Sequence, residues 1–235
     1  TYTQVGVYKY KLAEKDGGTA GTTYQTRDIT LVVTVIEQDG KVRVASVHTE
    51  EPNGAKSGDV TNTFSAGSLA VKKNVTGALG DRNYEFKVDV TFTAPAGKSV
   101  NSTISYQEGT DNKTIAPSAW QTKEGETQAK ATVTIELHDQ ETITFTNIPY
   151  GVSYSVVEKN YGADGTESAK GYTTTYSDNQ NGTINAVSTS VEITNDKGGE
   201  PDMGVSLDSL PYILALVLAC GGAVVLFTRK RHIED

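Results

Sequence analysis

The chain has 235 residues, enough for one large domain or two small ones, and its hydrophobic share of 36% lies below the usual level of about 45–50%. Its net charge of -8, with no basic patch outside the C-terminus, argues against nucleic acid as a partner. The single cysteine, Cys220, excludes an intramolecular disulfide. His48, His138 and His232 show no metal-ligand spacing and no nucleophile motif is present, so we expect no metal, no cofactor and no enzyme active site.

Thr and Val dominate the periodic segments, which predicts an all-β chain. Early in the sequence, strands at 31–36 and 41–47 flank Asp39-Gly40, a dipeptide typical of a tight hairpin turn. An alternating face upstream of this hairpin ends on Glu14, and Asn62 lies on another alternating face downstream.

The sequence contains an internal repeat. The segment GVYKYKLAEK at 6–15 returns as GVSYSVVEK at 151–159, and DVTN at 59–62 returns as EITN at 192–195. The first copy has its glutamate and its asparagine but no lysine strand before them. We therefore expect an N-terminally truncated first domain, whose lysine lies in a part that the sequence lacks.

The segment 68–77 contains a lysine at an inward position. Leu69, Val71 and Val75 alternate as in a strand with one face in a core, and Lys73 falls on that same face. An ammonium group in a core costs several kcal/mol unless a partner compensates it, so we expect a buried partner.

Two further strands supply candidate partners. The segment 154–158 places Glu158 where the next apolar residue of an inward face should be, and the segment 191–195 does the same with Asn195. One interpretation is a buried ion pair whose hydrogen bonds the amide completes. The other is covalent: a neutral Lys73 amine attacks the Asn195 amide and releases ammonia, while a protonated Glu158 polarises the amide and carries the proton. Burial favours the uncharged forms that this reaction needs.

Two other polar residues compete with this set. Asn147 follows an alternating strand and rivals Asn195, but it precedes a Pro turn and has no counterpart in the first copy. Glu141 rivals Glu158, but it begins its strand. We therefore favour the set of Lys73, Glu158 and Asn195.

The remaining segments predict short strands with regular turns, which are typical of a β-sandwich. Strands are expected at 84–92, 131–137 and 141–145, with loops and a short hairpin between 94 and 130. Asn181-Gly182 predicts a second tight hairpin, which joins the strand at 172–176 to the last strand.

The C-terminal tail carries a pentapeptide, an apolar run and a basic cluster. Leu210–Phe227 is free of charge over 18 residues and is followed by Arg229-Lys230-Arg231. As a helix of about 27 Å it just spans a bilayer core, with its basic end in the cytoplasm. An ordinary membrane anchor is one interpretation. The pentapeptide Glu200-Pro201-Asp202-Met203-Gly204 instead favours a cell-wall sorting signal that a sortase cuts between Met203 and Gly204.

These features resemble the sortase-assembled major pilins of Gram-positive bacteria, of the streptococcal T-antigen (FctA) type. The resemblance covers nearly the whole chain and rests on these matching segments: Leu69-x-Val71-x-Lys73-x-Val75-Thr76-Gly77 with Gly80-Asp81-Arg82, Tyr154-x-Val156-x-Glu158, Ile193-Thr194-Asn195, Gly6-Val7-Tyr8-x-Tyr10-x-x-x-Glu14 and Thr61-Asn62.

The resemblance implies immunoglobulin-like (CnaB-type) β-sandwich domains in tandem with autocatalytic Lys–Asn isopeptide bonds. The implied division of the chain is a truncated first isopeptide domain at 1–66, a complete second one at 67–197, a linker with the sortase motif at 198–209, a transmembrane helix at 210–228 and a basic cytoplasmic tail at 229–235.

The resemblance also implies residue roles. Lys73 would be the nucleophile, Asn195 the electrophile and Glu158 the proton shuttle, and Glu14 and Asn62 would serve the missing lysine of the first domain. An exposed lysine late in the first domain would link subunits, and Lys56 lies in a comparable place. Met203 stands where the family's sorting motif has Thr, which leaves the acting sortase open.

The function that follows is a structural subunit of a covalently polymerised pilus, anchored to the cell wall at the cell surface after a transient membrane stage. Its implied partners are a sortase, neighbouring pilin subunits and peptidoglycan, with a host surface as a further candidate. The alternative is a monomeric wall-anchored adhesin or stalk protein built from the same domains.

Overall fold

The computed structural model describes residues 1–56 and 59–199, and this part of the chain is built from strands. The strands are β1 (Gly6–Leu12), β2 (Thr22–Thr23), β3 (Ile29–Gln38), β4 (Lys41–Glu50), β5 (Thr63–Phe64), β6 (Ala66–Thr76), β7 (Phe86–Thr93), β8 (Ile104–Glu108), β9 (Asp111–Ile115), β10 (Lys130–Leu137), β11 (Thr142–Pro149), β12 (Ser153–Glu158), β13 (Thr173–Tyr176), β14 (Asn181–Thr183) and β15 (Ser188–Asp196). A short 3-10 helix covers Pro117–Ala119.

Among the described residues, no helix has the length and apolar character needed to cross a membrane. The transmembrane helix predicted at 210–228, the sorting motif and the basic tail lie outside the described residues.

Two sheets pack face to face around the main core. One has six strands in the order β13-β15-β6-β11-β8-β9, and the other has four in the order β10-β7-β12-β14. Inward side chains of both sheets, such as Leu69 and Val71 on β6 and Val90 and Phe92 on β7, are fully buried in one cluster. The alternation that predicted these strands therefore corresponds to a sandwich with polar outer faces.

The first and last strands of this sandwich are neighbours. β6 and β15 run parallel, and their register places Lys73 beside Ile193 and Val75 beside Asn195. Because side chains alternate along a strand, Lys73 and Asn195 share the inward face, two positions apart on adjacent strands.

A separate three-stranded sheet, in the order β1-β3-β4, occupies the start of the chain. β3 and β4 are antiparallel around Asp39 and Gly40, whose φ angles of 52° and 69° are those of a type I′ turn, so the predicted hairpin is confirmed. Farther along, Ala20 is buried in the core of the sandwich.

The predicted hairpin at Asn181-Gly182 is wrong. These residues belong to β14, which pairs with β12 in the four-stranded sheet, whereas β13 pairs with β15 in the six-stranded sheet. The chain therefore crosses from one sheet to the other between β13 and β14 and returns before β15. Local turn propensity was overridden by pairing with a distant strand.

Gly77 ends the lysine strand in a conformation that only glycine adopts easily. Its φ is +86°, and an added Cβ would lie 2.2 Å from the carbonyl oxygen of Lys197. Gly97 has a similar φ of +69° but open space around it. We expect Gly97→Ala to cost about 1–2 kcal/mol of unfolding free energy from backbone strain alone, and Gly77→Ala to cost at least about 2 kcal/mol more. Urea unfolding of both variants measures the difference, and equal losses would contradict the close approach of Gly77 to the end of β15.

Candidate isopeptide site

The candidate site is a buried polar cluster between the two sheets. Lys73 extends inward from β6, and its Nζ lies 2.7 Å from Oε1 of Glu158 on β12. The exposed fractions of the two residues are 0% and 7%. Charged groups without contact to water lose their solvation, and close contact with each other must compensate for that loss. The protonation of each group therefore depends on the other.

Asn195 completes the cluster from β15 and is also fully buried. Neither its Oδ1 nor its Nδ2 has a hydrogen-bond partner among the described residues. An unpaired buried amide costs about 1–3 kcal/mol for each group left unsatisfied. A purely structural cluster, in which the amide completes the hydrogen bonds of the ion pair, is therefore not what the contacts show.

Aromatic rings close the cluster against solvent. The Phe86 ring lies 4.5 Å from Lys73 Nζ, measured to the ring centroid. Tyr161 and Tyr172 pack edge-on against Phe86, with centroid distances of 5.0 and 5.2 Å. These three rings exclude water and keep the dielectric constant around the Lys73 amine low.

Burial lowers the pKa of Lys73 from 10.5 to about 8, and the nearby carboxylates of Glu158 and, to a smaller extent, Asp139 oppose this shift. A buried lysine therefore gives up its proton more readily than a lysine in water. The amine is brought close to the neutral form that a nucleophile requires.

Strand β13 holds Glu158 from the opposite sheet. Thr174 donates a hydrogen bond from Oγ1 to Glu158 Oε2 at 3.0 Å, and the backbone N–H of Glu158 donates to the Tyr176 hydroxyl at 2.8 Å. Burial raises the pKa of Tyr176, so this hydroxyl remains protonated at neutral pH.

The turn between β10 and β11 is hydrogen-bonded to β6 around Lys73. The backbone N–H of Lys73 donates to the Glu141 carbonyl at 2.9 Å, and the N–H of Gln140 donates to the Lys73 carbonyl at 2.8 Å. The N–H of Val75 donates to Asp139 Oδ1 at 2.7 Å. The backbone around the lysine is therefore held on both sides, by this turn and by β15.

The glutamate and asparagine of the first repeat also lie together. Asn62 Nδ2 donates to Glu14 Oε1 at 2.7 Å, and the backbone N–H of Gln25 donates to both side chains. Both residues are exposed, and among the described residues no lysine forms an ion pair with Glu14. The same two residue types lie together as in the second repeat, but here the amide is hydrogen-bonded to the glutamate, whereas the Asn195 amide has no partner among the described residues.

The other predicted residues lie away from the buried cluster. Lys56 is exposed and follows the turn after β4, where its backbone forms an isolated antiparallel β-bridge with Glu50. Asn147 is exposed and donates to the Thr103 carbonyl at 2.8 Å. The carboxylate of Glu141 accepts from the backbone N–H of its own turn at His138.

Comparison with known proteins gives two family matches. The model described as "Domain of unknown function (DUF7601)" matches residues 67–197, and the model described as "Spy0128-like isopeptide containing domain" matches residues 1–65. A curated protein named "Pilin", from Streptococcus pyogenes serotype M1, is 27% identical over an alignment of 252 positions, and this alignment covers 98% of this chain and 69% of that protein.

Solved structures of major pilins also align with this chain. The major pilin T3.2 of Streptococcus pyogenes aligns with a TM-score of 0.56 and 25% identity, over 83% of this chain and 69% of that one. Another major pilin of Streptococcus pyogenes aligns with a TM-score of 0.52 and 25% identity, over 85% and 73%. The chain therefore belongs to the family described as "Domain of unknown function (DUF7601)" and is a pilin of the streptococcal T-antigen type. The resemblance predicted from the sequence is confirmed.

Sequence reasoning missed the groups that surround the three central residues. Phe86, Thr174 and Tyr176 contact the cluster, and Asp139 holds its strand. The period-2 spacing of Thr174 and Tyr176 was the available signal, because it places both side chains on one face of β13.

Proposed function

We propose that this pilus structural subunit closes its sandwich with an isopeptide bond between Lys73 Nζ and Asn195 Cγ, formed without an external enzyme. The observation that carries the proposal is the Asn195 amide, which is fully buried and unpaired beside the Lys73–Glu158 contact. An amide with no competing hydrogen bond remains open to attack.

The reaction needs no proton from solvent. A proton passes from Lys73 Nζ to Glu158 Oε1 across their 2.7 Å contact, which leaves a neutral amine and a neutral acid. Nζ then bonds to Cγ of Asn195, Glu158 gives its proton to Nδ2, and the bond between Cγ and Nδ2 breaks. Glu158 takes the second proton of Nζ, and ammonia leaves. The products are an amide, ammonia and a protonated Glu158.

Intact mass tests this proposal. We expect the chain to be lighter than its sequence mass by one ammonia molecule, and we expect Lys73→Ala and Asn195→Ala to have their full sequence masses. A control with Lys72→Ala, the outward neighbour of Lys73, should keep the deficit. A parent chain of full mass would overturn the proposal.

The pH dependence of stability follows in the variant that cannot form the bond. In Asn195→Ala, Lys73 keeps a free amine with a pKa of about 8 when folded and 10.5 when unfolded. Between these values the unfolded state binds more protons, so the free energy of unfolding rises with pH by about 3 kcal/mol and is constant below about pH 8. Urea unfolding from pH 7 to 11 measures the rise.

The matched control is Asn195→Ala combined with Lys73→Met and Glu158→Gln, which lacks the titrating amine and leaves no carboxyl group buried without its partner. The tyrosines with raised pKa values contribute equally to both variants, so the difference between the two curves isolates Lys73. Parallel curves would show that Lys73 does not titrate in this window.

Polymerisation would use the exposed Lys56. A sortase would cut after Met203, hold the carbonyl as a thioester on its cysteine, and transfer it to the Lys56 amine of the next subunit. Exposure of Lys56 and its lack of an ion pair among the described residues support this role. The peptidoglycan attachment would follow by the same transfer chemistry, which places the subunit on the cell surface.

We expect Lys56→Arg to abolish the ladder of high-mass species on denaturing gels of cell-wall extracts, because arginine keeps the charge but is not a nucleophile. Lys41→Arg, at an exposed position on β4, should leave the ladder intact. A surviving ladder in Lys56→Arg would assign the link to another lysine. A parent protein without any ladder would favour the wall-anchored adhesin or stalk instead.

A further inference from the structure

Glu158 has two carboxyl oxygens in different surroundings. Oε1 faces Lys73 Nζ at 2.7 Å, and Oε2 accepts a hydrogen bond from Thr174 Oγ1 at 3.0 Å. The last side-chain torsion of a glutamate is broad and roughly two-fold, so the side chain itself does not determine which oxygen faces the amine. A fixed partner on one oxygen decides the orientation of both.

The position of Thr174 follows from the strand register. β13 pairs with β15 so that Thr174 lies beside Asn195, and Glu158 reaches this edge from the opposite sheet. Thr174 is half-buried and points inward, as Tyr176 does, whereas Thr173 and Thr175 are exposed. Thr174 therefore lies beside Asn195 on the neighbouring strand and also hydrogen-bonds the Glu158 carboxyl group.

We infer that Thr174 is a positioning residue for isopeptide formation, which holds Oε2 so that Oε1 alone exchanges protons with Lys73 and Asn195. The inference rests on the proposed function. Without the Thr174 hydroxyl, the carboxyl group turns about its last torsion and its proton occupies either oxygen. Productive alignment with the amine and the amide becomes less frequent, although the cluster stays buried.

The test compares bond formation in the full chain and its variants. Each chain is made by cell-free synthesis, samples are quenched in denaturant at intervals, and the fraction that has lost ammonia is measured by intact mass. We expect Thr174→Val to form the bond roughly tenfold more slowly, the loss typical for one hydrogen bond to a charged or reacting group. Thr174→Ser should form it at close to the parent rate. Thr173→Val, on the outward face of the same strand, should match the parent.

The order of the two Thr174 variants separates positioning from packing. Valine keeps the shape and loses the hydroxyl, whereas serine keeps the hydroxyl and loses a methyl group. A packing role would leave Thr174→Val fast and make Thr174→Ser slow, which would overturn the inference. Thr174→Ala, which loses both groups, should be slow in either case and shows that the assay responds to this site.

Different outcomes test the proposed function and the role of Thr174. A parent chain that never loses ammonia overturns the proposed function, and the role of Thr174 with it. A parent chain that loses ammonia while Thr174→Val does so equally fast overturns the role of Thr174 alone.

Discussion

Asn195→Ala should remove the proposed covalent closure of the sandwich and lower its free energy of unfolding by about 5 kcal/mol, the loop-entropy value for a closed loop of this size. The proposed bond joins positions 73 and 195, which are 195 minus 73, or 122, positions apart. For a region of this length, such a loss lowers the melting temperature by roughly 15–20 °C. Calorimetry measures the melting temperature, and the rate of cleavage by a protease reports the loss of stability.

This substitution isolates the cross-link better than most. The Asn195 amide makes no hydrogen bond among the described residues, so its removal leaves no new unpaired group there. The Lys73–Glu158 pair and the apolar core remain. Asn112→Ala, at an exposed position on β9, is the matched control and should melt with the parent. Equal melting of parent and Asn195→Ala would contradict a covalent role for Asn195.

The same variant should differ most under force. β6 and β15 are adjacent and parallel, so tension that enters before Lys73 would leave after Asn195 through the proposed bond and bypass the strands between them. Pulled from its ends, the parent should never release this segment. Asn195→Ala should release about 400 Å of chain when the sandwich opens, at the length of an extended residue. A parent that shows this release in single-molecule pulling would refute the proposed bond.

The inward polar residues were predictable because they break a strict period of two. Lys73, Glu158 and Asn195 each take the place of an apolar residue on an alternating face, and a buried lysine requires a partner whatever the fold. Local pattern therefore indicated which polar residues are buried. It could not give the parallel register of β6 and β15, because that pairing joins the two ends of the sandwich.

The surrounding residues could not be predicted for a related reason. Thr174 contacts Glu158 only because β13 pairs with β15, while the next strand, β14, joins the other sheet. Asn181-Gly182 is a strong local turn signal, and it predicted the opposite connection. The sheet that a strand joins after a turn depends on which strand edges elsewhere in the fold are still unpaired. The residues around the turn do not determine this.

Glu158→Ala should be the most destabilising of the site variants, because it removes the bond and also leaves the Lys73 ammonium buried without a partner. Breaking one side of a buried ion pair costs about 3–5 kcal/mol. We therefore expect Glu158→Ala to unfold at a free energy about 3–5 kcal/mol below that of Asn195→Ala, although neither variant carries the bond. Urea unfolding at pH 7 gives the comparison, and because loss of the carboxylate lowers the pKa of Lys73 further, the additional loss should shrink as the pH rises.

Two further variants separate the charge from the chemistry. Glu158→Gln keeps the shape of the side chain but cannot carry a proton, so the chain should keep its full mass. Adding Lys73→Met to Glu158→Ala removes the unpaired ammonium and should recover most of the additional loss, since an apolar side chain of similar length suits a buried site. Glu136→Ala, at an exposed position on β10, should change neither mass nor stability. A mass deficit in Glu158→Gln would show that the bond forms without this carboxyl group, and Glu158 would then be only the electrostatic partner of Lys73.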